Sequence, residues 1–302
     1  MTRDVSASVR GRLENIAKQS KRPLQELMQY FVMERFLFRL SQSEHAERFV
    51  LKGALMFTVW GTAQSRATRD IDLLARADNS VDAMTRRIIE VSQQAVEPDG
   101  VRFVAESVRG AIIKENAAYS GVRVSFDAKI QNACLPMQID IGFGDVIYPN
   151  PSVITYPAML DFESPQLIGY PKETVIAEKF EAMTKLGQLN SRMKDFFDVH
   201  VLAMQFEFDA DVLGQAIAKT FANRGTKLEV APTVFKPVFF EDSVKQTQWK
   251  AFVRKSKLTG APDAFAVLVQ KNREFLEPLC QMIASDRSPS GHWNPGGPWI
   301  KQ

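Results

Sequence analysis

Hydrophobic residues recur at two different spacings along the chain, and each spacing predicts one kind of secondary structure. In the first fifty residues the spacing is helical, so we expect a short amphipathic helix around Leu13 and a longer one after Pro23. FVLKG is typical of a strand that runs into a glycine turn, and ALMFTVW of the helix after it. RATRDIDLL predicts the next strand, and the helix VDAMTRRIIEVSQQA follows it.

From residue 101 onward the helical spacing gives way to alternation between apolar and polar residues. VRFVAESV, VRVSFDAKI and MQIDIGFGD all show this pattern, which is typical of half-buried strands. Strands that follow one another so closely in sequence favour an antiparallel meander. Together with the earlier elements they predict a mixed sheet with helices, and therefore an α+β fold.

A proline-rich segment at residues 148–171 separates this half from one with mainly helical spacing. We expect a domain boundary there, with one domain at residues 1–165 and a mainly helical domain at residues 166–302. The tail SPSGHWNPGGPWIKQ predicts an extended arm rather than a regular element. The predicted helices of the second half are TVIAEKFEAMTKL, SRMKDFFDVHVLAMQ and VLGQAIAKTFAN.

Composition narrows the class of protein without identifying a function. Hydrophobic residues make up 45% and charged residues 24% of the chain, which is ordinary for a globular protein. The net charge of +3 is compatible with an anionic partner but does not require one. Apolar runs are too short for a membrane span, and no signal peptide is expected. Cys134 and Cys280 are expected to be buried free thiols in the cytoplasm, with no membrane association.

Two carboxylates on one face of a predicted core strand are the first indication of a reaction site. Asp70 and Asp72 in RATRDIDLL are two residues apart and share a face, while the apolar residues point the other way. Asp140 in MQIDIGFGD is a third aspartate on the polar face of a strand. The simpler explanation for Asp70 and Asp72 is a strand edge on which they pair with Arg66 and Arg69, since Asp-x-Asp is a common pattern.

The turn formed by Lys52 and Gly53 precedes a predicted helix and lies upstream of the aspartate pair. Such a turn offers free backbone N–H groups and the positive end of the helix dipole, which attract phosphate. Lys52 would add a positive charge. Glycine often serves only to turn the chain, so the motif gains weight from the aspartates that follow it.

Neighbouring carboxylates repel one another, and without a cation they cost stability or take up protons. Mg²⁺ removes that conflict because it is a hard ion that prefers oxygen ligands and phosphate. Three aspartates beside a phosphate-holding turn therefore predict a two-metal site for phosphoryl transfer from a nucleoside triphosphate. A magnesium-dependent nuclease would use similar carboxylates but leaves the glycine turn unexplained.

Lys179 lies within the apolar stripe of TVIAEKFEAMTKL, where a lysine is uncommon without a partner. Either its aliphatic part covers the core, or its charge is presented to a phosphate. On the next predicted helix, Asp195 and Asp198 either orient Lys179, or Asp198 pairs with Lys194 on an exposed face. The sequence does not rank these two arrangements.

The segment KQTQWKAFVRKSK, residues 245–257, contains five basic residues and no acidic one. Trp249 and Phe252 lie between the basic positions. Most such runs are solvated helix faces. Beside a nucleotide site, however, basic and aromatic residues together predict contact with RNA backbone and bases.

The motifs FVLKGALMF, RATRDIDLL, IDIGFGD, EKFEAM and RMKDFFDVHVL occur in an order that resembles one known family. The chain is similar to the AbiE-type (AbiEii/AbiGii) nucleotidyltransferase toxins of bacterial toxin–antitoxin and abortive-infection systems. The resemblance extends over nearly the whole chain, to the WNPGGPW tail. RxTRDIDL and RMKDFFD in combination are specific.

This resemblance implies a polymerase β-like nucleotidyltransferase domain with a mixed sheet, followed by a mainly helical C-terminal domain. It implies that Asp70, Asp72 and Asp140 bind Mg²⁺, and that Lys179 and Asp195 are also needed for activity. It assigns the triphosphate to Gly53 and its neighbours. The residues that we expect to bind the nucleotide are Lys52, Gly53, Arg66 and Thr68.

Relatives of this family transfer nucleotides, in some cases pyrimidines from CTP or UTP, onto the 3′ end of tRNA and so block translation. A cognate antitoxin restrains them. The resemblance thus implies a toxin that moves a nucleotide from a nucleoside triphosphate to RNA, with tRNA and an antitoxin as partners. Alternatives are transfer onto a protein, either the antitoxin or the enzyme itself, and a catalytically silent fold that binds RNA or protein.

One position departs from the wider nucleotidyltransferase pattern. Gly53-Ala54 stands where Gly-Ser is usual, so the serine hydroxyl that would touch a phosphate is missing. Lys52 and Thr68 are the candidates to replace that contact.

Overall fold

A seven-stranded mixed sheet organises the N-terminal half of the chain in a computed structural model of the protein. The structure describes residues 4–62, 67–76, 79–116, 119–258 and 260–300. Arg66, which the sequence assigns to nucleotide binding, lies outside these ranges. No helix in the described part of the chain combines the length and the apolar character that crossing a membrane requires.

The chain divides into two compact units, which are described one at a time. The first unit comprises Met1–Gly61, Thr68–Gly144 and Ser152–Gly169, and the second comprises Thr62–Ala67, Asp145–Pro151 and Tyr170–Gln302. The first unit contains helices and the seven-stranded sheet: α1 (Val5–Ser20), α2 (Leu24–Gln42), β1 (Phe49–Lys52), α3 (Leu55–Val59), β2 (Asp70–Ala75), α4 (Val81–Ser92), β3 (Arg102–Asn116), β4 (Tyr119–Ile130), β5 (Ala133–Phe143), β6 (Ser152–Thr155) and β7 (Gln166–Gly169).

The strands of the sheet are ordered β3-β4-β5-β2-β1-β7-β6. β3, β4 and β5 form the predicted antiparallel meander. β2 then pairs parallel to β5 and antiparallel to β1, so the sheet is mixed, as predicted. This arrangement places β2 at the centre of the sheet, between two paired neighbours.

Alternation along β5 separates a core face from a polar face. Met137, Ile139 and Ile141 are buried, and Asp140 lies on the opposite face. Helix α2 covers the core face, where the ring of Phe36 packs against Phe103 and Phe126 of the meander at centroid distances of 5.7 and 5.6 Å. The core face of the sheet therefore comes directly from the alternating sequence pattern.

The two cysteines are free but differ in burial. Cys280 is buried as expected, whereas Cys134 is exposed. The prediction for Cys134 was wrong because this residue lies on the polar face of β5, one position before the buried Leu135.

The proline-rich segment at residues 148–171 is more regular than the sequence predicts. It contains β6 and β7, which pair with each other, and β7 also pairs parallel to β1. Residues 152–155 and 166–169 are therefore strands of the sheet, whereas the sequence pattern predicted no regular element there. Each strand has only four residues, which is too short for a periodic pattern to stand out among prolines.

The second unit is mainly helical, as predicted. The tail expected to be an extended arm instead forms β9 and β10, which pair with β8 in a three-stranded sheet. Trp293 of β9 is only 1% exposed and packs on Phe275 at a centroid distance of 4.7 Å. Elements of the second unit are α5 (Lys172–Leu186), α6 (Met193–Gln205), β8 (Phe208–Asp209), α7 (Ala210–Asn223), α8 (Pro237–Phe240), α9 (Ser243–Ser256), α10 (Phe265–Ile283), β9 (His292–Trp293) and β10 (Trp299–Ile300).

His200 in α6 is a buried titratable group inside this unit. Its ring Nδ1 has no hydrogen-bond partner among the residues that the structure describes. Burial, together with the positive charge of Lys271, lowers the pKa of His200 to about 4. The imidazole is therefore neutral in the folded protein at neutral pH.

We predict that His200→Leu reduces the loss of stability that the wild-type protein shows as the pH falls from about 6.5 to about 4. Between these values the unfolded chain binds a proton that folded His200 does not, so the unfolding free energy falls with falling pH. The full effect is about 3 kcal/mol at most. Urea unfolding at neutral pH and near the lower end of this window measures it, with Met204→Leu, an exposed position of the same helix, as the control. An unchanged pH dependence in His200→Leu would contradict the assignment.

Candidate active site

Asp70 and Asp72 lie on the same face of β2. Both are partly buried, whereas Ile71 and Leu73 are fully buried on the core face. β2 is hydrogen-bonded on both sides, by β1 and by β5. The two carboxylates therefore project from the middle of the sheet and not from an edge strand.

Four charged residues form a transverse row across neighbouring strands. Arg123 of β4 is registered opposite Asp140 of β5, Asp140 beside Asp72 of β2, and Asp72 opposite Lys52 of β1. Registered residues on paired strands project to the same face, and neighbouring strands are about 4.8 Å apart. The row thus places two carboxylates between two cations, and Asp70 lies two residues from it on β2.

Arg123 is the charge of this row that the sequence analysis missed. Its guanidinium donates two hydrogen bonds to Asp140, from Nε to Oδ1 and from Nη2 to Oδ2, both at 2.8 Å. These hydrogen bonds, and then the charges of Asp140, Asp70 and Asp72, raise the pKa of Arg123 above its ordinary value. The predicted meander placed VRVSFDAKI beside β5, but the alternating pattern does not give the register that sets Arg123 opposite Asp140.

The turn at Gly53 is packed against the Asp72 carboxylate. Gly53 has φ +73°, and a Cβ at this position would lie 1.9 Å from Oδ2 of Asp72. Only glycine therefore allows the turn and the carboxylate to approach this closely. The two motifs that the sequence analysis joined, the glycine turn and the aspartate pair, are in direct contact.

Helix α3, which follows this turn, has only five residues. A helix this short contributes a smaller dipole than the sequence analysis assumed. Ala54 precedes it without a side chain that could cap the helix. Any anion held here would depend on the backbone N–H groups of the turn and on Lys52.

Thr68 lies just before β2. Its backbone N–H donates to the hydroxyl oxygen of Tyr30 at 3.0 Å, and its Oγ1 lies 3.4 Å from the backbone nitrogen of Asp70. Thr68 is therefore held beside the first of the two aspartates, in the same unit as the Gly53 turn.

Lys179 and Asp195 belong to the second unit. Lys179 Nζ lies 3.0 Å from Asp195 Oδ1 and 2.8 Å from Asp198 Oδ2, and Arg192 Nε lies 2.6 Å from Asp195 Oδ2. Asp198 thus pairs with Lys179, as one of the two open arrangements predicted. Burial alone would raise the pKa of Asp195, but the charges of Lys179 and Arg192 outweigh it and hold the pKa below its ordinary value.

A different cluster in the first unit has the composition of a metal site. Among the residues that the structure describes, Glu44, His45 and Glu90 bring potential ligand atoms within 4.8 Å of one another. His45 Nε2 lies 2.6 Å from Glu90 Oε2. The Asp140 carboxylate differs from this cluster, because both of its oxygens accept hydrogen bonds from Arg123. No local sequence pattern indicates this cluster, because Glu90 is remote from Glu44 and His45 in sequence.

Comparison with known proteins identifies one family. The sequence profile described as nucleotidyl transferase AbiEii toxin of type IV toxin–antitoxin systems matches residues 35–271, from α2 to α10. No curated protein matches the chain. The structure of JHP933 from Helicobacter pylori aligns at 16% identity and TM-score 0.45 over 86% of this chain and 97% of that chain. A second structure, of a Helicobacter pylori protein provisionally assigned as a nucleotidyltransferase, aligns at 15% identity and TM-score 0.43 over 84% of this chain and 97% of that chain.

We predict that Gly53→Ala destabilises the protein more than Gly144→Ala does. The two glycines have nearly equal φ angles, +73° and +74°, so both variants incur about 1–2 kcal/mol of left-handed backbone strain. Only at Gly53 does the new methyl group meet the Asp72 carboxylate, whereas no described atom lies within 4 Å of it at Gly144. Overpacking of this kind adds about 1–3 kcal/mol. Equal losses of unfolding free energy, measured by chemical denaturation, would contradict the contact between Gly53 and Asp72.

Proposed function

The chain belongs to the AbiEii family of nucleotidyltransferase toxins from type IV toxin–antitoxin systems, and from this premise we propose that it transfers a nucleoside monophosphate from a nucleoside triphosphate to an RNA 3′ end. We propose tRNA as the acceptor, CTP or UTP as the donor, and inhibition of translation in the cytoplasm as the consequence. A cognate antitoxin is its proposed protein partner. The observation that carries the proposal is the contact between the Gly53 turn and the Asp72 carboxylate, beside Asp70.

The donor set suits Mg²⁺. Asp70 and Asp72 are carboxylates on one face of β2, and hard divalent cations prefer such oxygen ligands. The row of Arg123, Asp140, Asp72 and Lys52 contains two negative and two positive charges, and Asp70 adds a third carboxylate on the same face of β2. We propose that Asp70 and Asp72 hold Mg²⁺, with Asp140 as a third ligand that shares its carboxylate with Arg123. When bound, Mg²⁺ would supply Lewis-acid stabilisation of the reacting phosphate.

The Gly53 turn and its neighbours are proposed to bind the triphosphate. Backbone N–H groups of the turn would donate to phosphate oxygens, and Lys52 would add a positive charge beside them. Ala54 offers no hydroxyl, so Thr68, which is held next to Asp70, is proposed to supply the missing side-chain contact. The proposed role of Arg66 in binding the triphosphate rests on the sequence alone, because this residue lies outside the described ranges.

The proposed reaction is an in-line displacement at the α-phosphorus. The oxygen of the RNA 3′-hydroxyl forms a bond to this phosphorus, the bond from phosphorus to the oxygen that bridges the α- and β-phosphates breaks, and pyrophosphate leaves. We propose that Asp140 accepts the hydroxyl proton, for which Arg123 releases one of its two hydrogen bonds to that carboxylate. Arg123 would otherwise keep the Asp140 carboxylate oriented.

Lys179 and Asp195 are proposed to be needed for activity, as the family resemblance implies. Within the second unit they form a cluster with Asp198 and Arg192, in which two positive charges balance two negative ones. Asp195 and Asp198 are buried, and Arg192 is partly exposed. A buried ion pair that loses one partner leaves an uncompensated charge, which is strongly destabilising. The two aspartates therefore hold the amino group of Lys179 in a fixed position.

A second candidate is a catalytically silent nucleotidyltransferase fold that binds RNA or protein. One observation favours it: Ala54 replaces the serine whose hydroxyl would contact a phosphate. The intact aspartate pair and the close packing of Gly53 against Asp72 favour the enzyme.

We predict that the wild-type protein transfers label from an α-labelled nucleoside triphosphate to tRNA in the presence of Mg²⁺, and that Asp72→Asn abolishes this transfer. The substitution keeps the shape of the side chain but removes the charge that would hold the cation. Asp127→Asn, the same chemical change at a partly buried position on β4 of the same sheet, should keep full activity. Circular dichroism and thermal unfolding check that both variants are folded.

Three other outcomes would contradict the proposal in different ways. Full transfer by folded Asp72→Asn would remove Asp72 from the site. Label on the protein or on an added antitoxin, and not on tRNA, would establish the alternative acceptor. Absence of label on any component, with each of the four triphosphates and a folded protein, would favour the silent fold.

A further inference from the structure

Helix α9 presents a group of cations that the proposed reaction does not use. The sequence from Ser243 to Leu258 contains no acidic residue. Four of its basic side chains are exposed, in the second half of the helix and at its C-terminal cap: Lys250, Arg254, Lys255 and Lys257. The fifth, Lys245, is buried.

The four exposed cations have no ion-pair partner among the described residues. On α10, by contrast, Lys271 pairs with Glu274 at 2.9 Å and Arg273 with Glu277 at 2.7 Å. The helix dipole favours cations in the last turn, but it does not account for Lys250 or for the absence of acidic residues. Like charges one turn apart destabilise a helix slightly. The four cations therefore lower the stability of α9 slightly, and no ion pair with a described residue offsets this effect.

The opposite side of α9 is anchored in the second unit, so the orientation of the helix is defined. Trp249 is buried, packs on Phe265 at a centroid distance of 5.8 Å and donates its indole N–H to the carbonyl of Pro262 at 2.9 Å. Lys245 Nζ donates to the carbonyl of Asn190 at 2.7 Å. The prediction that Trp249 contacts RNA bases was therefore wrong, because its ring is part of the core.

We propose that the exposed face of α9, formed by Lys250, Arg254, Lys255 and Lys257, binds the phosphate backbone of RNA. The proposal rests on the proposed function, because RNA is the acceptor there. Lys250 and Arg254 are one turn apart, about 6 Å along the helix axis, so both cations lie on the same side of α9. Trp249 is buried and Phe252 packs against Phe197 and Trp249, so the proposed contact is electrostatic and independent of base sequence.

The test compares two variants that each remove one lysine and one arginine. Lys250→Gln/Arg254→Gln removes exposed cations of α9, and Lys271→Gln/Arg273→Gln removes paired cations of α10. The full-length proteins are titrated with a fluorescent single-stranded RNA and with tRNA at several salt concentrations between about 50 and 200 mM. Thermal unfolding checks that both variants are folded.

We expect the α9 variant to bind RNA roughly tenfold more weakly at the lowest salt concentration. Its plot of log affinity against log salt should be less steep by about 1.4, because two phosphate contacts are lost and each removes about 0.7 from the slope for a single strand. The α10 variant should match the wild type. Equal RNA affinity in both variants would overturn the proposal, as would unchanged RNA binding together with loss of binding to the antitoxin.

This result is independent of the transfer assay. Label on tRNA from the wild type, with unchanged RNA affinity in the α9 variant, would refute the α9 surface and leave the enzyme proposal standing. Weaker RNA binding by the α9 variant, with no transfer by the wild type, would support the surface and refute the enzyme.

Discussion

Repulsion between neighbouring carboxylates is the constraint on which the arrangement of the first unit depends. Asp72 and Asp140 are registered side by side on β2 and β5, and like charges in that position destabilise a sheet. Lys52 on one flanking strand and Arg123 on the other place a cation at each end of the pair. The row is thereby neutral, and Asp70 adds a third carboxylate beside it on the same face of β2. The proposed Mg²⁺ would further reduce the repulsion among these carboxylates.

The second unit balances its buried charges in the same way. Lys179 and Arg192 compensate Asp195 and Asp198 within one cluster, and the pKa of Asp195 lies below its ordinary value despite complete burial. Pairing lets the sequence place a lysine inside an apolar stripe without leaving an unpaired buried charge. Both clusters thus pair carboxylates with cations, and Arg123 and Lys179 reach their partners from a neighbouring strand or helix.

Local patterns predicted what depends on local chemistry. Alternation along β5 predicted the core face correctly, and the spacing of Asp70 and Asp72 predicted their shared face, because both follow from the two-residue period of a strand. Arg123 could not be found in this way. Its role depends on the register between β4 and β5, which sets it opposite Asp140 and which the alternating pattern does not specify. The close approach of Gly53 to Asp72 is also a consequence of pairing between β1 and β2.

The remaining errors have physical causes of the same kind. Strands β6 and β7 are four residues long and become regular only by pairing with β1 and with each other. Trp249 lies among cations in the sequence, yet helical geometry places it on the buried side of α9. The tail contains Trp293, whose burial against Phe275 orders a segment that its proline and glycine content suggested would be extended.

The most direct test of the central claim is the binding of Mn²⁺, a paramagnetic substitute for Mg²⁺, followed by electron paramagnetic resonance in the full-length protein. The account predicts a site in the wild type that Asp72→Asn weakens by roughly tenfold or more, and that His45→Gln leaves unchanged. Binding that survives Asp72→Asn but is lost in His45→Gln would place the ion at Glu44, His45 and Glu90. That result would contradict the assignment of the aspartate pair as the metal site.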